Sequence, residues 1–330
     1  MKIAAFIYKF LLLCLMFNAC LIKQANAQVD TIVSYMKIDN TFAFGDKTVP
    51  VQDKTDADFM RMVTMPDSNI DKTLYQVYDY YLNGNPKLRG SSTTGSFRIQ
   101  LDGAFLEYYP DGHKKRIAAY KYGQLSGDFV EFYPDGKVYL SGVYDENGQR
   151  VDKCYDSEGK VIAEAGNGKQ VLYSDDQKII GEGKLINGRR DGQWKGAFND
   201  SVSYEMKYDM GKVVSGISFD KKGKRYPFLQ VEEPPHFKGG LAAFGAYVSR
   251  NLHYPDEARR ANIQGRVILG FIVDSNGSIK NVEVVKGLGY GCDEVAVRAL
   301  KACPPWIPGT LYGLPVKVQY KVPVSFSFAN

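Results

Sequence analysis

Hydrolytic, group-transfer and metal chemistry need histidines, cysteines and carboxylates gathered at short, fixed spacings. This 330-residue chain spreads its three histidines over His113, His236 and His253, with no metal-ligand spacing among them. No Gly-x-Ser-x-Gly elbow, Walker loop or dinucleotide-binding glycine pattern occurs. A nucleophile pairing of Cys154 with a histidine is conceivable, but nothing in the spacing supports it. Glu257 and Asp274 read as a solvated helix residue and a turn residue. Trp306 reads as a lid on a core, with a ligand platform as the alternative. The sequence predicts no enzyme, no cofactor and no metal site.

A different chemistry is open to the backbone. The last segment, Val316 to Phe328, puts Val316, Val318, Tyr320, Val322, Val324, Phe326 and Phe328 on one face of a strand. Lys317, Gln319, Lys321, Pro323, Ser325 and Ser327 take the other. Pro323 cannot donate a ladder hydrogen bond, so at least that part of the strand is expected at an edge or a bulge. An edge carries unpaired N–H and C=O groups, a template for a second strand. Lys317 and Lys321 would keep such an edge soluble and discourage self-pairing. Together with Gln319 they would select among partner segments.

Several elements must position that strand. Leu241, Phe244, Gly245, Val248 and Leu252 share one helical face. Tyr254-Pro255 breaks that helix, and Asp256 to Ala261 forms a short second one. Arg266 to Asp274 alternates as a strand, Ser275-Asn276-Gly277 turns, and Ser278 to Lys286 returns. Cys292, Val295, Ala296, Ala299, Leu300 and Cys303 fit a third helix, stopped by Pro304-Pro305. Cys292 and Cys303 then lie about 16 Å apart at the helical rise, beyond disulfide reach. Both read as small core residues.

Upstream, the chain repeats. Gly103-Ala-Phe-Leu-Glu-Tyr-Tyr-Pro-Asp-Gly112 recurs as Gly127-Asp-Phe-Val-Glu-Phe-Tyr-Pro-Asp-Gly136, offset by 24 residues. Looser copies stand at Tyr80 to Gly84, Tyr155 to Gly159 and Phe219 to Gly223. A second half-motif links Tyr122-Gly-Gln-Leu-Ser-Gly127 to Asn187-Gly-Arg-Arg-Asp-Gly192. Alternation along Phe129, Glu131 and Tyr133 reads as a strand, and Asp-Gly as a tight turn with positive φ angles. The unit is a β-hairpin, and the region an all-β meander. Its tyrosines read as hairpin packing, with a glycan-binding strip as the alternative.

The chain divides into residues 1–27, 28–73 of unknown role and without a motif, 74–228 of hairpins, a linker at 229–235, and 236–330. Net charge is +5, and Lys2, Lys9 and Lys23 supply three of those positives, leaving 5 − 3 = +2 for the rest. So weak a charge, without a basic run, predicts no nucleic-acid partner. Lys2, Lys9, the apolar stretch Phe10 to Ile22 and Ala25-Asn26-Ala27 read as an export signal with a mature start at Gln28 and a periplasmic destination. Lipidation at Cys20 and an inner-membrane anchor over Ala4 to Ile22 are the alternatives. Cys154, Cys292 and Cys303 would remain after cleavage, an odd count that leaves at least one thiol free.

Two resemblances follow. The hairpin copies resemble MORN-type repeats of the Tyr-Tyr-x-x-Gly and Asn-Gly-x-x-x-Gly variant, which implies an interaction scaffold. Beyond Pro235 the chain resembles the TonB C-terminal domain, in the type found in Bacteroidetes-like bacteria. The motifs are Pro235-x-Phe237-x-Gly-Gly240, Tyr254-Pro255-x-x-Ala258, Gly265-x-Val267, Phe271-x-Val273-Asp274-x-x-Gly277, Asp293-x-x-Ala296-x-Arg298, Trp306-x-Pro308-Gly309 and Pro323-Val-x-Phe326. This resemblance implies an α+β fold, an antiparallel three-stranded sheet with helices on one face. It also implies docking or force coupling at an outer-membrane TonB-dependent transporter or another envelope protein, and an inner-membrane proton-driven motor as a further partner. The last strand would receive a transporter segment. The corner Tyr254 to Ala261, with Pro255 and Arg259, would lie beside the receptor mouth. The chain lacks a long proline-rich spacer, and the hairpin region would serve in its place. The alternative is an envelope scaffold that binds proteins without transducing energy.

Overall fold

The computed structural model describes residues 31–38, 48–67, 69 and 71–328. The expected export signal and Cys20 lie outside the described residues.

One antiparallel sheet of eighteen strands runs from Thr31 to Phe228. It opens with β1 (Thr31–Ile38), β2 (Thr48–Val51), β3 (Phe59–Thr64), β4 (Tyr75–Tyr81) and β5 (Pro86–Ser92). The best-matched repeats supply β6 (Gly103–Tyr108), β7 (Lys114–Lys121), β8 (Gln124–Leu125), β9 (Gly127–Phe132) and β10 (Val138–Asp145). Next come β11 (Gly148–Tyr155), β12 (Val161–Glu164), β13 (Asn167–Tyr173) and β14 (Ile179–Ile186). The sheet closes with β15 (Arg189–Asn199), β16 (Val202–Asp209), β17 (Lys212–Asp220) and β18 (Arg225–Phe228). From β3 to β18 strands pair with their sequence neighbours, except that β7 pairs with both the short β8 and β9. At the start β1 lies between β2 and β3. This arrangement fits a meander of MORN-like hairpins. The described residues of the stretch without a motif, from Thr31 on, thus supply strands to the same sheet. Its inward row includes Arg61, 6% exposed, whose guanidinium grips the Asp79 carboxylate through Nε at 2.8 Å and Nη2 at 2.7 Å.

The turns are of two kinds. At Asp111-Gly112 and Asp135-Gly136 only the glycine has positive φ, +93° and +82°, so the expected pair of positive angles is not what forms. Gly112 N–H instead donates to the Tyr109 carbonyl, and the Asp111 carboxylate accepts from the His113 N–H. Pro110 sits where its fixed φ suits a type I turn, and the glycine closes it with a bulge. At Tyr122-Gly123 and Asn187-Gly188 both residues are positive, the mirror-image turn. Successive hairpins are stitched by tyrosine hydroxyls: Tyr81 donates to the Tyr108 carbonyl, Tyr109 to Phe132 and Tyr133 to Tyr155. Beneath them Phe105, Phe129, Leu140, Cys154, Leu185 and Trp194 belong to one continuous core.

The C-terminal part has its own core. Helices α1 (Gly240–Asn251), α2 (Asp256–Arg260) and α3 (Cys292–Lys301) bury Phe244, Val248, Ala258, Cys292, Ala296 and Leu300. They pack with Val267, Leu269, Phe271, Val322, Val324 and Phe326. These belong to a three-stranded antiparallel sheet in the order β21 (Ile279–Lys286), β20 (Gly265–Val273), β24 (Val318–Phe326). All three helices join the core on one face of that sheet, as the α+β expectation required. A small second sheet joins β19 (Glu232–Glu233), β22 (Gly309–Leu311) and β23 (Leu314–Val316). The expected single strand Val316 to Phe328 is therefore two: Val316 pairs with Gly309, and the long ladder begins at Val318 opposite Val273. The joint before Pro235 likewise carries a strand, since Glu232 and Glu233 pair with Leu311 and Thr310.

Candidate partner-binding site

Strand β24 pairs with β20 along its length, from Val318 opposite Val273 to Phe326 opposite Gly265. Among the described residues no strand pairs with its other side. Burial alternates: Val318, Val322, Val324 and Phe326 are buried and Tyr320 half-buried, and Lys317, Gln319, Lys321, Pro323 and Ser325 are exposed. Pro323 stands opposite Ile268. A proline fits inside a ladder where its nitrogen points away from the neighbouring strand. In an antiparallel pair inward and outward residues alternate, so Gln319, Lys321 and Ser325 turn their N–H and C=O groups toward solvent.

The other expected residues gather at the far end of the same strand. The Tyr254 ring stacks on Phe328 at 4.9 Å and meets Phe326 edge-on at 5.6 Å. Its hydroxyl donates to the Ile263 carbonyl, and burial raises its pKa above the ordinary tyrosine value. Pro255 precedes α2, and its carbonyl accepts the Arg259 N–H. Arg259 is exposed on that helix. Five residues of strand, about 16 Å, separate Lys321 from Phe326, so the corner and the lysine row are two patches on one edge. Tyr254 is packed internally and Pro255 is half-buried, while Arg259 is exposed together with Asp256, Glu257 and Arg260.

Three other candidates resolve by geometry. Trp306, 3% exposed, lies among Phe237, Phe244, Phe271 and Tyr320, as a core lid does. A cavity of about 280 Å³ in the repeat sheet is lined by Tyr109, Arg116, Glu131, Tyr133, Tyr139 and Tyr173. The hydroxyls of Tyr109, Tyr133 and Tyr139 already bond to carbonyls, so these tyrosines hold hairpins together. Cys154, Cys292 and Cys303 are free thiols, and burial pushes Cys154 up to about 12.

One residue escaped the sequence reading. Tyr312 tips the β22–β23 hairpin at φ +51°, followed by Gly313 at +76°. Its ring packs on Phe198 at 4.0 Å and edge-on against Phe228 at 5.8 Å, and its carbonyl accepts from the Ser218 hydroxyl at 2.8 Å. The C-terminal part is thereby plugged into the end of the repeat sheet. The Tyr312-Gly313 dipeptide, alike to Tyr122-Gly123, was the available signal.

Comparison with known proteins bears on the C-terminal part. No curated protein matches the chain. The NMR solution structure of the Helicobacter pylori TonB C-terminal domain, residues 194–285, is 25% identical, covers 26% of this chain and 91% of that one, and gives a TM-score of 0.22. Its longer form, residues 179–285, is 23% identical, covers 27% and 81%, and gives 0.22. Among the described residues no helix is long and apolar enough to cross a membrane. Residues 250–328 match the family described as Gram-negative bacterial TonB protein C-terminal.

Proposed function

We propose that this is an exported periplasmic protein whose C-terminal domain docks on an outer-membrane transporter by accepting a segment of it as an added strand along β24. The observation that carries this reading is the open edge: a nine-residue strand, Val318–Phe326, paired on one side and soluble through Lys321 and Lys317 beside it. Backbone hydrogen bonds would supply affinity, and the outward side chains selectivity. Arg259 and the Tyr254–Pro255 corner would meet the transporter body around the segment. The first 27 residues would direct export, and the hairpin sheet would hold the domain away from its attachment.

The test is capture of outer-membrane proteins from envelope fractions by the full chain and two variants. Gln319→Ala leaves the backbone pairing intact and should weaken capture only modestly. Gln319→Pro removes an outward donor and should abolish it, while the melting temperature stays near that of the parent. Equal capture by both variants would remove β24 from the contact.

A second reading, an envelope scaffold that binds without transducing energy, draws support from Tyr312. Its plug would keep the repeat sheet and the C-terminal domain at fixed spacing, as a two-site adaptor requires.

A further inference from the structure

The sheet β21-β20-β24 has one face under the helices and one face open. Three rows lie on the open face. From β24 and the residue before it come Lys317, Gln319, Lys321 and Ser325; from β20 come Ile272, Gly270, Ile268 and Arg266. From β21 come Lys280 opposite Ile272, Glu283 opposite Gly270, and Lys286 opposite Ile268. Lys280 is neutralised by Asp274 at 2.5 Å. Among the described residues Arg266, Lys286, Lys317 and Lys321 stand in no ion pair, against the single remaining carboxylate Glu283.

We propose that the segment received by β24 carries apolar residues at alternate positions and, on this open face, two acidic residues four positions apart. The proposal rests on the strand-addition reading and names the chemistry of its partner. Lys317 and Lys321 are separated by about 13 Å along the strand, so two carboxylates four residues apart on a neighbouring strand would stand beside them. The first and third residues between those acids would point to the helix side and extend the row of Val318, Val322 and Val324, where apolar groups belong, while the middle one would share the open face with the acids.

Two carboxylates oppose this: Asp274, which is paired with Lys280 and also attracts Lys317, and Glu283. Glu283 leans over Gly270, where a Cβ would lie 3.0 Å from its Oε1. A strand added beyond β24 is three strand spacings, about 14 Å, from β21. That exceeds the screening length of about 8 Å at physiological salt, so the nearer lysines decide the sign. A second copy of the chain is a poor occupant, because antiparallel pairing of two β24 strands centred on Gln319 sets Lys317 against Lys321, and any register adds like charge to like.

The experiment uses the full chain and three labelled peptides: Val-Glu-Val-Thr-Val-Glu-Val and the same sequence with glutamine or lysine for both glutamates. Fluorescence anisotropy should show the glutamate peptide binding about three- to tenfold more tightly than the glutamine peptide, the worth of two exposed ion pairs. The lysine peptide should bind most weakly, and rising salt should close the gap. The double variant Lys317→Gln, Lys321→Gln should bring the glutamate peptide to the glutamine level and leave the glutamine peptide unchanged. Equal binding of glutamate and glutamine peptides overturns the acid preference and leaves strand addition standing. Binding of no peptide overturns both. Lysine-dependent binding of phosphatidylglycerol vesicles without a glutamate preference overturns the proposal in favour of a membrane surface. A dimer in sedimentation that Gln319→Pro abolishes overturns it in favour of a second copy.

Discussion

The repeat sheet and the C-terminal domain solve the same problem, the placement of backbone hydrogen bonds, in opposite ways. From β3 to β17 every strand of the repeat sheet except the two-residue β8 pairs with two or more others, and its ends are the short β2 and β18, one of them covered by the Tyr312 hairpin. The C-terminal domain instead leaves the outward groups of a nine-residue strand open. A sheet that satisfies itself by neighbour-to-neighbour pairing behaves as a chain of local units. A small sheet under three helices stands or falls as one core. Position of the unpaired backbone, more than composition, separates the repeat sheet from the C-terminal domain.

The largest test of that contrast is Phe271→Ala. Phe271 is buried against Trp306 and Tyr320, and its truncation should cost about 3–5 kcal/mol. Calorimetry of the full chain should then show the C-terminal transition moved to lower temperature and the repeat transition in place. A common shift of both would make the molecule one cooperative unit and break the comparison. A smaller effect is expected from Tyr133→Phe, which removes the hydroxyl bond to Tyr155 and should cost about 0.5–1.5 kcal/mol. Hydrogen exchange should quicken in β9 to β12 and stay unchanged beyond β14, as local units require.

The smallest effect concerns proton linkage at Glu131. Burial holds this carboxyl above the ordinary glutamate range, against the opposing charge of Arg116 at 3.9 Å. An acid whose folded-state pKa is raised contributes stability below its unfolded value and loses it as pH rises through the folded one. Glu131→Gln mimics the protonated form. It should raise the melting temperature of the repeat region slightly at neutral pH, with the gain vanishing toward about pH 4. A loss of stability at neutral pH would instead mean that the ion pair with Arg116 outweighs burial.

Legibility of the sequence differed between the two regions for physical reasons. Helix α3 and strand β24 were readable because each has one buried face, and burial imprints its period on the residue types. The turns at Gly112 and Gly136 were readable because glycine alone relieves the strain of positive φ there. Strand β3 was not, because its inward row of Phe59, Arg61 and Val63 is interrupted by a charge whose partner, Asp79, lies on the next strand. The break at Lys317 was invisible for another reason. Alternation runs unbroken from Val316 to Phe328, and only the pairing of Val316 with Gly309 shows that the chain changes sheets there. Along β24 the residue faces could be read, whereas the internal contacts of Tyr254 depend on Phe326 and Phe328, far away in sequence.

The change of sheets at Lys317 has a mechanical side. One residue, Lys317, joins β24 to β23, and the tip of the β22–β23 hairpin is Tyr312, seated against Phe198 and Phe228. Tension applied along β24 toward its C-terminal end therefore runs through a single peptide link into a ring wedged in the repeat sheet. The ladder with β20 is loaded in shear, with all its hydrogen bonds resisting together, whereas the ring leaves its seat as one bolt leaves a socket. Under such a load the seam between the two regions is expected to yield before the ladder does.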